Sequence, residues 1–263
     1  MSYPKTDAEI DILREGGKRL AQVLDVLEEL VVPGVRTDAL DLKAYELIVG
    51  IGDTPAFLNY KPEGTSRAFP ASLCVSINNE IVHGIPNENP QTIQEGDIVG
   101  IDLGIIHDGL FTDSARTVIA GKGNERAKEI IAVTRKALYA GIDSARAGAH
   151  IGDIGYAVAG VVKPTPFVII EELVGHGVGH SVHEEPLVPN VGVRGNGVAL
   201  EAGMVLALEV MLAESGKGGI AIADDDFTYI TDNGSRSTQI EHTILITTDG
   251  APEILTLSKS EHV

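Results

Sequence analysis

Cysteine is nearly absent from this sequence: Cys74 is the only one, which excludes an internal disulfide and fits a reducing compartment. Long apolar runs are absent too. None approaches the ~20 residues of a membrane span, so no membrane partner is expected. The opening MSYPKTDAEI lacks the basic and apolar regions of a secretory signal, and a cytoplasmic location is therefore expected. Basic residues are scarce, with 20 Lys and Arg against 38 Asp and Glu for a net charge of −18. Without a basic stripe to neutralise phosphates, nucleic acid is not expected as a direct partner. There is no P-loop and no G-x-S-x-G. The run Gly175–Gly179 is no dinucleotide fingerprint, because its third glycine is misplaced and no βα turn follows.

What remains is an ordinary globular composition, 43% hydrophobic and 22% charged over 263 residues. No linker of disordered composition interrupts the chain, so one domain over residues 1–263 is expected. The acidic excess serves solubility, and part of it reads as carboxylates gathered in one site that attracts amine-bearing substrates.

Periodicity places two helices first. Thr6 and Glu9 form a capping box ahead of Leu13, Leu20, Leu24 and Leu27, and VVPG at 31–34 stops that helix. A second helix runs from Thr37 or Asp38 to about Val49, and 55–70 reads as a loop. From 71 the period shortens to that of strands, with a hairpin turn around His107, Asp108 and Gly109. Helices return at 125–147 and 151–163. Strands follow at 166–173, 203–212, 219–222, 227–231, 239–247 and 253–257. Helices then strands, twice over, suggest duplicated halves. The segments 80–104 and 172–210 echo each other, each a glycine-flanked histidine followed by a strand with one acid.

The stretch VGHGVGHSVHEEP (174–186) holds three of the eight histidines. His176, His180 and His183 share one face of a helix, but Gly175, Gly177 and Gly179 would each cost that helix about 1 kcal/mol. Read as an extended segment, His176 and His180 point one way, and His183 lies on the opposite parity unless a bend near Gly179–Ser181 resets it. The stretch alone does not decide which two histidines work together.

Carboxylates supply the stronger signal. Folding about the 107–109 turn puts Asp102 and Asp113 opposite or diagonal to each other on one face, among Ile, Leu and Phe. Two such acids repel, and burial penalises each charge, so either one is protonated or cations hold both. Glu209 and Glu241 likewise interrupt apolar strands. Four acids and one glycine-flanked histidine form an oxygen-rich ligand set suited to two divalent ions such as Mn, Fe, Co or Zn, which activate water for hydrolysis.

The segments FPASLCVSINNEIVHGIP, GDIVGIDLGIIHDGLFTDSARTV, GHGVGHSVHEEP, GMVLALEVM and STQIEHTILIT resemble, in order and spacing, the motifs of type I methionine aminopeptidases over about 55–257. The resemblance implies a pita-bread α/β (α+β) fold, in which pseudo-twofold halves with antiparallel sheet and flanking helices surround a dinuclear metal site. It implies Asp102, Asp113, His176, Glu209 and Glu241 as ligands, with Glu209 also catalytic. It implies His83 and His183 as histidines touching the scissile amide, and His180 as a bystander. Tyr60, Cys74 and Phe227 match positions lining the methionine pocket.

The implied activity is removal of initiator methionine from nascent chains with a small second residue, in the cytoplasm and near the ribosome, by a monomer. Two departures stand out: Val210 follows Glu209 where proline is frequent, and the loop 59–69 is longer than usual. Two alternatives remain. One is an X-prolyl peptidase, although such enzymes carry a sizeable N-terminal domain and only about 70 residues precede FPASLC here. The other is a non-catalytic, ribosome-associated relative, although relatives of that kind lose ligands that this chain keeps.

Overall fold

The computed structural model describes residues 4–62 and 65–258. Helix α1 (Asp7–Leu30) starts where the sequence signals it: the Thr6 hydroxyl accepts from Glu9 N–H, and the Glu9 carboxylate accepts from Thr6 N–H at 2.7 Å. Helix α2 (Thr37–Gly50) follows. Their apolar faces, including Leu20, Leu24, Leu27, Leu40 and Ile48, pack on Val99, Ile101 and Leu103 of strand Ile98–His107. Each fully buried leucine there contributes about 1.5–3 kcal/mol.

The second half repeats the plan. Helices α3 (Glu125–Ser144) and α4 (Ile151–Val162) cover Leu206, Leu208, Val210 and Leu212 of strand Val205–Ala213, and Ile240 and Ile244 of strand Ser237–Leu245. Because side chains alternate along a strand, sending these residues to the helices sends Asp102, Glu209 and Glu241 to the opposite, inner faces. All strand pairings are antiparallel among the described residues.

The halves meet where strand Leu110–Ile119 lies beside Ser237–Leu245. Hydroxyls join these strands. Ser114 Oγ donates to Glu241 O at 2.8 Å, and Thr117 Oγ1 accepts from Gln239 N–H at 3.0 Å.

Several boundaries differ from the sequence expectation. The strand expected over 166–173 shortens to Val168–Ile169, since the chain turns at Glu171 and Glu172. The strand expected at 227–231 begins at Tyr229, because the Asp225 carboxylate holds the N–H groups of Phe227 and Thr228 in a turn. The strand expected over 253–257 pairs only at Glu253–Ile254, and α3 ends at Ser144 rather than 147.

Candidate active site

The hairpin turn forms at Asp108 and Gly109, both at positive φ, between paired His107 and Leu110. In the resulting register Asp113 faces Gly104 and Asp102 faces Ala115, so the two aspartates are diagonal neighbours on one face. In the other half Glu209 and Glu241 are direct cross-strand partners. His176 pairs with Ala207, two positions from Glu209, which puts the imidazole on the same inner face. Its Nε2 lies 3.9 Å from Glu209 Oε1. Asp113, His176 and Glu241 offer ligand atoms that all lie within 4.8 Å of one another.

The stretch at 174–186 is neither helix nor continuous strand. Gly175–Gly177 and Glu184–Val188 are paired strands, and between them the chain bends, with Gly179 at φ 139°. The bend cancels the parity difference: the His176 and His183 ring centroids are 4.5 Å apart. His180 turns outward instead, bonding Glu9 at 2.7 Å and Lys5 at 3.2 Å, and does not join Asp102, Asp113, Glu209 and Glu241 in the pocket lining.

Electrostatically the site is costly as it stands. Burial pushes Asp102 up to about 7 and Glu209 up to about 8, the latter also through the Asp102 charge. Burial, then neighbouring carboxylates, raise Asp113 and Glu241 well above the usual range. Buried oxygens of Asp102, Asp113 and Glu241 have no hydrogen-bond partner. Cations would satisfy them, and the donor set of hard oxygens with one imidazole fits divalent metal. His176 is prepared for such a role. Its Nδ1 donates to Gly177 O at 2.9 Å, which leaves Nε2 with a free lone pair, and burial followed by repulsion from His183 lowers its pKa to about 3.

Beside the acids opens a pocket enclosing about 520 Å3 of empty space, part of it open to solvent. Every residue assigned from the sequence lines it: Asp102, Asp113, His176, Glu209 and Glu241 at the floor, with His83, His183, Tyr60, Cys74 and Phe227 around them. His83 sits at φ 59°, followed by Gly84, where a Cβ would come within 2.2 Å of Val75 O. Burial lowers the His83 pKa to about 4. His183 Nδ1 meets the Tyr60 hydroxyl at 2.9 Å.

Sequence reasoning missed three wall residues, Phe57, Phe69 and Pro62, and one polar group at the floor. Gln239 Nε2 donates to Asp102 and to Glu209, each at 3.1 Å. Its signal was available, since Gln239 is two residues before Glu241 and therefore shares its strand face.

The model of metallopeptidase family M24 matches residues 11–248. Methionine aminopeptidase of Clostridium perfringens is 40% identical over 97% of this chain and 98% of its own. The chain belongs to metallopeptidase family M24, among the methionine aminopeptidases. The crystal structure of methionine aminopeptidase from Thermotoga maritima superposes with a TM-score of 0.91 at 38% identity, covering 97% of this chain and 99% of that one. A prolidase from Pyrococcus horikoshii shares the fold at a TM-score of 0.76 and 23% identity, but this chain spans only 66% of its length. The pita-bread fold expected from the motifs is therefore the one observed, and this family member is a metal-dependent aminopeptidase.

Proposed function

We propose that this chain removes the initiator methionine from peptides and nascent proteins whose second residue is small. The observation that carries the reading is the convergence of three buried carboxylates, the half-buried Glu209 and a metal-ready His176 at the floor of one sulfur- and aromatic-walled pocket. Asp102, Asp113, His176, Glu209 and Glu241 would hold two divalent ions, of Mn, Fe, Co or Zn. Ions there supply Lewis acidity for the scissile carbonyl and lower the pKa of a water nucleophile.

The chain's own groups do the rest. Glu209 is the least buried of the four acids and borders the cleft leading away from the pocket, so it is suited to move a proton from water to the leaving amine. His83 and His183 stay neutral at physiological pH, because burial lowers both pKa values. A Tyr60 hydroxyl donating to His183 Nδ1 leaves the ring proton on Nε2, available to the scissile amide. Tyr60, Cys74 and Phe227 receive the methionine side chain, a long unbranched thioether suited to soft walls.

The same reading takes the enzyme as one catalytic domain and a monomer, meeting nascent chains in the cytoplasm near the ribosome. A buried, unpaired Cys74 fits a reducing compartment, and no helix among the described residues is long and apolar enough to cross a membrane. The test is methionine release from Met-Ala-Ser, with formyl-Met-Ala-Ser, Leu-Ala-Ser and Met-Lys-Ser as comparisons. Cleavage of the first alone supports the reading, and equal cleavage of all four ends it.

A further inference from the structure

The segments 59–62 and 65–69 frame a loop that is tied to the pocket. Its base is closed by two backbone bonds, Asn59 N–H to Phe69 O at 2.9 Å and Phe69 N–H to Tyr60 O at 2.8 Å. This closure delivers Tyr60 and Phe69 together to the pocket wall. Near the end of the loop, Thr65 Oγ1 meets both Pro62 O and Arg67 O, folding the backbone so that the Arg67 side chain reaches two other segments. Arg67 NH1 donates to Glu88 at 2.6 Å and NH2 donates to Asp225 O at 2.8 Å. Its guanidinium carbon stands 5.2 Å from the centroid of the Phe227 ring, which also packs edge-on against Phe69 at 5.4 Å.

We infer that Arg67 is a specificity-positioning residue, which fixes Phe227 as a wall of the side-chain pocket by tying residues 65–69 to the 225–228 turn. The inference rests on the proposed methionine selectivity. Phe227 lies in a turn whose backbone is held by Asp225, and Arg67 grips that turn by the Asp225 carbonyl while covering the ring. A planar guanidinium performs both tasks at once: its fork donates in two directions and its face lies over an aromatic. Lysine keeps the charge but not the fork. Without Arg67 the ring keeps its apolar neighbours but loses the guanidinium over its face and the tie to Asp225, and the pocket loses the rigid boundary that rejects branched or wider side chains.

The test compares wild type, Arg67→Met, Arg67→Lys and Glu88→Gln on Met-Ala-Ser, Leu-Ala-Ser and Phe-Ala-Ser, with metal content and Tm recorded for each. Arg67→Met is expected to lower the methionine-over-leucine and methionine-over-phenylalanine ratios of kcat/KM about 5- to 30-fold. It should raise KM for Met-Ala-Ser more than it lowers kcat, at unchanged metal content. Arg67→Lys should fall between wild type and Arg67→Met. Glu88→Gln, which removes the negative charge partnering one arm of the fork while every pocket residue stays, should shift the same ratios in the same direction by a smaller factor. A selective wild type whose Arg67→Met variant is equally selective overturns this inference alone. So does a variant that loses all three substrates in parallel with Tm, as a purely structural role would require. A wild type that cleaves all first residues alike overturns this inference and the proposed selectivity together.

Discussion

Thr243 holds Asp113 at two points: its hydroxyl donates to Asp113 O at 2.7 Å and accepts from Asp113 N–H at 3.0 Å. The contact crosses from the second half of the molecule to the first, so one half fixes the backbone of a carboxylate carried by the other. Both groups are buried. Thr243→Val keeps the shape and removes the hydroxyl, leaving a buried N–H and a buried carbonyl without this partner. Stability is expected to fall by about 1–3 kcal/mol in urea titrations. If Asp113 is a ligand, metal affinity measured by calorimetry should fall as well, and a Thr243→Ser variant should restore most of both. An unchanged urea midpoint in Thr243→Val would remove the clasp from the account of how the halves are joined.

Much of this arrangement is readable along the chain because it depends on period 2. Apolar residues at 99, 101 and 103, and again at 206, 208, 210 and 212, determine which strand faces meet the helices, and so where Asp102 and Glu209 must point. The two-residue turn at Asp108–Gly109 then sets the diagonal between Asp102 and Asp113. Contacts between distant segments were not readable. Nothing local to Thr243 announces Asp113, and the hydroxyl links between Leu110–Ile119 and Ser237–Leu245 depend on how two sheets dock. The 176–183 bend was legible only as an open alternative, since a glycine-rich stretch leaves the backbone many conformations. Arg67 was invisible for the same reason as Thr243: its partners Glu88 and Asp225 are 21 and 158 residues away.

Removal of metal should leave a protein whose stability depends on pH in an unusual direction. In the ion-free site the folded-state pKa values of Asp102 and Glu209 are raised to about 7 and about 8, above the ordinary carboxylate values. These two carboxyls therefore hold more protons folded than unfolded between about pH 4 and pH 8, whereas the buried histidines with lowered pKa hold fewer below about pH 6.5. Above that point the carboxyls dominate, and stability falls as pH rises toward about 8. Metal-free protein should melt at a lower temperature at pH 8 than at pH 6. Added Mn or Co should recover more of the loss at pH 8, since fewer protons must leave. A chelated sample whose Tm rises from pH 6 to pH 8 would contradict this assignment of strain to the carboxylates.

Activity should follow the metal. Chelation is expected to abolish peptide cleavage, with Mn, Co or Fe restoring it. Glu241→Gln, which keeps the shape but removes one anionic ligand, should bind metal more weakly and lose most turnover. Atomic absorption on the same samples gives the ion count. Full activity in exhaustively demetallated protein would end the two-ion proposal.

The histidines divide by position. His83 and His183 line the pocket outside the proposed ligand set, while His180 bonds Glu9 and Lys5 at the surface. His83→Ala and His183→Ala are expected to reduce kcat about 100-fold or more while metal content stays near that of wild type. His180→Ala should change kcat little. Loss of bound metal in either pocket variant would move that histidine into the ligand set, and a His180→Ala defect as large as that of His183→Ala would reverse the choice between them.

Substrate selection tests the pocket walls most directly. Cys74 and Phe227 are buried and Tyr60 is partly so, all facing one space beside the acids. A thioether gains from contact with sulfur and aromatic surface, and an unbranched chain enters where a β- or γ-branched one meets Phe227. The carboxylate floor attracts a free α-amine, so a formyl group that removes the charge should block cleavage of formyl-Met-Ala-Ser. In the proposed substrate pose the space beyond the scissile bond is the cleft lined by His83 and His183, and crowding there should favour Gly, Ala or Ser over Lys at the second position. Phe227→Ala removes a wall and should narrow the preference for methionine over leucine by about 1–3 kcal/mol in kcat/KM. Cys74→Ser should act more weakly, because it changes one small side chain of the wall. If Phe227→Ala discriminates as well as wild type while still cleaving Met-Ala-Ser, the methionine side chain binds elsewhere, and the pocket beside the carboxylates would have to be reassigned.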